Sequence, residues 1–251
     1  NRQYSGKVFQ SYSMIAEIYE TRGDKKNTDR MYKRIIDAFT KGGYEKNGAP
    51  EATAAAQSTF MLMKPRYEAF MNTKLTENTK LSPAKRALDL QKQVLSMMDI
   101  VFGPEKPVKK PDGTTDTARG NGMYDEYANA VASFGSQNWS YAAFLYRAKM
   151  LQYFARSIYG APTPADMSPE EEEAYLEIME SIGKPVEDRA MKSLEIALKD
   201  AEAKGVVNQW VTELRKAINQ YKPGDYPLLK DEKRLVADPA GTLPQPDKEL
   251  R

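Results

Sequence analysis

Two residue types are missing from this chain of 251 residues: it has no cysteine and no histidine. Without cysteine there is no disulfide framework, no thiol nucleophile and no zinc–thiolate centre. Without histidine the chain loses the commonest general base, the commonest metal ligand and the ordinary near-neutral pH switch. Serine–histidine and cysteine–histidine catalysis are excluded, leaving carboxylate, lysine, tyrosine or serine–lysine chemistry. Long apolar runs are also lacking, and none approaches the ~18 residues that a membrane span needs. Nor does one sign of charge dominate. The 37 basic and 35 acidic residues leave a net charge of +2, which argues against a dedicated nucleic-acid binder, since those carry a basic stripe. The chain starts at Asn1 with no initiator Met and no signal peptide, so a fragment or processed form is expected.

What is present is apolar periodicity. With 41% hydrophobic residues, the chain can bury a sizeable core as one large domain or two small ones. Phe9, Tyr12, Ile15, Ala16 and Tyr19 recur at three- and four-residue steps, as do Met31, Tyr32, Ile35, Ile36 and Phe39. Both stretches read as amphipathic helices. Between them lies Arg22-Gly23-Asp24, a tripeptide that elsewhere suggests an adhesion ligand. Here Gly23 is explained as a helix stop and Asp24 as the cap of the next helix, giving an αα-hairpin over residues 5–42.

The pattern continues over about Glu51 to Lys74, with a kink expected at Pro65, and from Ser82-Pro83 to Gly103-Pro104. It resumes over Met123–Phe134 and Trp139–Tyr159. Ser168-Pro169-Glu170-Glu171 then reads as a capping box that opens the next helix. Gly183-Lys184-Pro185 is expected to interrupt it, with another helix over Val186–Lys204 and a last one over Val206–Tyr221. The fold class is therefore all-α, with about nine helices and no strand. Residues 1–221 are expected to form a single helical domain with a second helical half over 123–221. The proline-rich segment 222–251 is expected to form an extended tail or linker.

Residues 103–122 have prolines, glycines and no apolar period, so a long surface loop is expected. Its cations, Lys106, Lys109, Lys110 and Arg119, are the best candidate for an exposed partner-binding segment. Gly120-Asn121-Gly122 is not a dinucleotide fingerprint, because no strand precedes it and no third glycine follows at the required spacing. Glu170 to Glu173 occupy a first helical turn, where negative charge favours the helix dipole, so they do not read as a metal or acid–base site. No residue is singled out as catalytic, cofactor-binding or metal-ligating. The 15 tyrosines and 12 methionines fall mostly on apolar stripes, with a subset suited to lining a peptide groove.

The first hairpin resembles a tetratricopeptide repeat. The residues that carry the likeness are Tyr12, Ile15-Ala16, Tyr19, Gly23-Asp24, Thr28 and Tyr32. Ala16 replaces the family's Gly and Thr28 replaces its Ala, and both keep a small volume where two helices touch. The second half is similar to the closing segment of large tetratricopeptide envelope proteins of gliding and predatory deltaproteobacteria, some attributed to the gliding-motility machinery. The landmarks are Tyr146-Arg147, Pro162-Thr163-Pro164, Ser168 to Glu171, Asn208 to Val211 and Tyr226-Pro227. The resemblance covers residues 1–40 and 123–227. It implies an α-solenoid of antiparallel helix pairs in the periplasm or envelope, without catalytic residues or cofactors.

Two functions follow as expectations. One is a non-catalytic scaffold that binds a protein or peptide in a solenoid groove. The other is an all-helical glycan-processing enzyme that uses a carboxylate pair.

Overall fold

The computed structural model describes residues 4–111, 114–164 and 167–227. Within them the chain is mostly helical, with eight α-helices and one two-stranded sheet. The helices are α1 (Ser5–Thr21), α2 (Lys25–Lys41), α3 (Pro50–Met71), α4 (Pro83–Phe102), α5 (Met123–Glu126), α6 (Gln137–Tyr159), α7 (Pro169–Ala203) and α8 (Gln209–Asn219).

The first three helices form one packed group. Arg22-Gly23-Asp24 is the turn between α1 and α2. Gly23 takes a φ of 71°, and Asp24 Oδ1 accepts from the Asn27 amide at 3.1 Å. That arrangement stops one helix and caps the next. Across the hairpin the Tyr32 hydroxyl donates to Glu20 at 3.2 Å. Ala16 and Thr28 are both buried. Helix α3 then rests on both helices through a face of small residues, Ala52, Ala54, Ala55 and Ala56.

The second half of α3 belongs to a different core. Phe60 places its ring 4.7 Å from Tyr146, 5.2 Å from Trp139, 5.7 Å from Tyr127 and 5.8 Å from Trp210. Edge and tilted ring contacts of this kind add to plain area burial. A third cluster joins α6, α7 and α8 through Tyr141, Leu145, Leu194, Leu198, Leu214 and Ile218.

Several expectations need correction. Helix α7 runs unbroken for 35 residues through Gly183 and Pro185, so one helix stands where two were expected. Met179, Gly183, Ala190 and Leu194 are buried on both sides of the proline. That burial offsets the ~3 kcal/mol a mid-helix proline costs. Gly183 also makes room for a ring, since a Cβ there would lie 2.6 Å from Tyr159. Helix α3, by contrast, spans its expected stretch as one helix with Pro65 inside it. Met123–Phe134 is not one helix but α5, a π-helical turn over Tyr127–Val131 and a 3₁₀ turn over Ala132–Phe134. The last helix begins after Asn208, whose side chain caps it by accepting from the Val211 amide at 2.9 Å.

The expected loop 103–122 contains a β-hairpin, β1 (Glu105–Lys109) and β2 (Thr115–Arg119). The strands are antiparallel, with Glu105 opposite Arg119 and Lys109 opposite Thr115. Every residue of β1 is exposed, so no alternation of burial marked it in the sequence. Of the expected tail, Tyr226 instead packs against the third cluster, and Asn219 donates to its carbonyl at 2.9 Å. Residues 228–251 of that tail lie outside the described residues. So do Asp112 and Gly113 of the loop, and Ala165 and Asp166 of the break before Ser168.

Candidate interaction sites

The four cations singled out in 103–122 sit on the β-hairpin, and its register separates them. Lys109 and Arg119 belong to one face, Lys106 and Lys110 to the other. Arg119 is the most enclosed, with its side chain 17% exposed. Its guanidinium bonds Asp99 at 2.5 Å, the Gly103 carbonyl at 3.1 Å and Glu105 at 3.0 Å. It therefore ties the hairpin to the end of α4. The hairpin root is also glycine-dependent: a Cβ on Gly103, whose φ is 81°, would lie 2.0 Å from the Gly120 carbonyl oxygen. Lys110 pairs with Asp116 at 2.9 Å, and that hydrogen bond, helped by the Thr117 amide, holds the Asp116 carboxyl below its usual range. Lys106 and Lys109 are exposed and make no ion pair among the described residues.

A second surface, absent from the sequence reading, lies between α1 and α3. The two helices touch near their starts, where a Cβ on Gly6 would come within 3.3 Å of Pro50 and the Ser5 hydroxyl donates to Glu51. Farther along, a groove of about 750 Å³ opens. Its walls pair Gln10 and Met14 of α1 with Thr53 and Gln57 of α3. Gly6 lies against Pro50 at one end and Glu20 shares a pocket with Met61 and Lys64 at the other, so the two helices run in the same direction. Thr53 is committed to the Gly48 carbonyl at 3.0 Å, whereas the Gln10 and Gln57 amides make no hydrogen bond among the described residues. Met14 is 58% exposed, an adaptable apolar group beside uncommitted donors and acceptors. Lys7 and Glu17 give the rim one charge of each sign.

The sequence carried a signal for this groove. Gly6, Gln10, Ser13 and Glu17 recur at three- and four-residue steps next to the apolar stripe. Polar residues so placed read as solvated helix surface. Only the arrival of α3 alongside makes the surface concave.

Among the described residues no three carboxylates converge in a way that would hold a metal ion, and no helix is long and apolar enough to cross a membrane. Comparison with family models, with curated proteins and with solved structures gave no match for this chain.

Proposed function

We propose that this chain is a non-catalytic scaffold, a segment of a larger tetratricopeptide-type bacterial envelope protein, that binds a peptide segment of a partner between α1 and α3. The observation that carries the reading is the groove itself. It joins two same-direction helices of an α1–α2–α3 stack and offers uncommitted side-chain amides at its centre. Such amides match the alternating N–H and C=O groups of an extended peptide, and the exposed Met14 accepts a range of apolar side chains. Helix pairs stacked in this manner would extend the groove along a solenoid. The periplasmic placement and the link to gliding motility rest on the resemblance of residues 1–40 and 123–227. Lys106 and Lys109 of the hairpin supply a second, peripheral contact to the same partner.

The test is capture from a bacterial envelope extract with this chain as bait, beside a Gln10→Arg/Gln57→Arg double variant that fills the groove with charge. A partner held by the wild type and lost by the variant supports the reading. A partner held equally by both contradicts it.

A further inference from the structure

A different concave surface lies where α6 and α8 meet the end of α3. It is a cleft of about 170 Å³, and its chemistry is unlike that of the α1–α3 groove. Its lining includes three cations, Lys149, Arg156 and Lys216, and one carboxylate, Glu213. Three positive charges less one negative leave a formal excess of +2.

The partners within the cleft do not cancel this excess. Both ammonium groups bear on Glu213, Lys216 at 2.8 Å and Lys149 at 3.8 Å. Together they hold the Glu213 carboxyl below its usual range, with the Lys216 hydrogen bond as the largest cause. Arg156 donates to Gln220 Oε1 at 3.0 Å and also bears on the Tyr221 hydroxyl, so its partners are neutral groups rather than a carboxylate.

At the floor of the cleft, Gln152 is 6% exposed, and its Nε2 has no hydrogen-bond partner of good geometry among the described residues, although the Tyr221 hydroxyl lies close by. A buried amide donor without an acceptor is costly. An excess of donors in one concave space calls for a ligand made of acceptors.

We propose that this cleft binds a dianionic tetrahedral oxyanion, a phosphate group, with Gln152 at its floor and Lys149, Arg156 and Lys216 around it. Such a group brings negative charge to a lining in which cations outnumber carboxylates. Its oxygens supply the acceptor that Gln152 lacks and take the donors that Arg156 does not spend on Gln220. A carboxylate brings half the charge and fewer acceptor positions. Helices supply the walls, so the donors are held by regular backbone rather than by a loop.

The experiment is an NMR titration at pH 8 and constant ionic strength, following the side-chain amide signals of Gln152 and Gln220. The probes are inorganic phosphate, sulfate, phosphoserine and acetate. Saturable shifts with a Kd of about 1 mM or tighter for phosphate and sulfate are expected, with acetate at least ~10-fold weaker. Lys149→Gln and Arg156→Gln should each weaken phosphate by ~10-fold or more, while Lys26→Gln on α2 leaves it unchanged. The melting temperature of each variant checks that it is folded. Phosphoserine binding as tightly as phosphate identifies a monoester as the ligand, and weaker phosphoserine identifies free phosphate. Shifts that fail to saturate, equal affinity for acetate, or an unchanged Kd in both cleft variants would overturn the proposal.

Discussion

The two ends of α3 solve the same packing problem in opposite ways. Its first half meets α1 and α2 through alanines. Its second half meets α6, α8 and the π-helical turn through Phe60, Tyr67 and Phe70. Small side chains bring helix backbones close and leave parallel walls, which is what a groove requires. Large rings hold backbones apart and fill the gap themselves, which leaves no long open groove between the helices. The groove therefore lies beside the alanine half, and the rigid anchor beneath it is the aromatic half.

That contrast can be broken most severely at Phe60. Its ring touches four others and is 1% exposed, so Phe60→Ala should cost ~3–5 kcal/mol of unfolding free energy, measured by denaturant titration. A cost below ~1 kcal/mol would mean that the aromatic half is not the anchor. The alanine half should fail differently. Ala55→Leu inserts volume at a fully buried contact and should cost ~1–3 kcal/mol through overpacking. It should also disturb the α1–α3 groove while the aromatic signals in near-ultraviolet circular dichroism persist.

Alkaline pH gives a third contrast. Burial, and then the neighbouring Tyr146, pushes the Tyr67 and Tyr127 phenols well above their usual range. Burial, and then Glu20, does the same for Tyr32 in the first group. Tyr141 is pushed up to about 12 by burial and by its hydrogen bond to Asp200. A phenol raised in the folded state contributes its stability in full below the ordinary value of about 10. That contribution is lost as pH climbs from there toward the folded value. Unfolding free energy should therefore fall above about pH 10, with tyrosinate absorbance appearing cooperatively as the chain unfolds. An unfolding free energy that stays flat above about pH 10 would contradict this.

The smallest effect is expected at Tyr127, whose buried hydroxyl has no hydrogen-bond partner among the described residues. Tyr127→Phe should be neutral or raise stability by up to ~1 kcal/mol, because an unsatisfied polar group is removed and the ring is kept. A loss above that amount would show that the hydroxyl has a partner, such as a buried water.

What the sequence revealed divides along physical lines. Local signals were legible: Asp24 caps α2, and Ser168 and Glu171 close a capping box at the start of α7. These depend on residues within one turn of each other. Signals that depend on distant packing were not. Pro185 looked like a helix stop because the burial of α7 along α6 is invisible in the local sequence. The β-hairpin has no buried face, so it left no period-two trace. Of the four cations chosen from it, Arg119 and Lys110 proved to be bound to acids of the hairpin and α4. The Gln10 and Gln57 groove was unseen because its two walls are more than forty positions apart in the chain.

The central claim is that the partner lies between α1 and α3. The most direct test places a photo-crosslinking phenylalanine analogue at Met14 in one variant and at Lys109 in another. Each is irradiated in envelope extract, and the crosslinked species are identified by mass spectrometry. The account predicts a discrete partner peptide crosslinked through position 14, abolished by the Gln10→Arg/Gln57→Arg changes. A discrete partner crosslinked through position 109, with none at position 14, would contradict it and move the interaction to the β-hairpin.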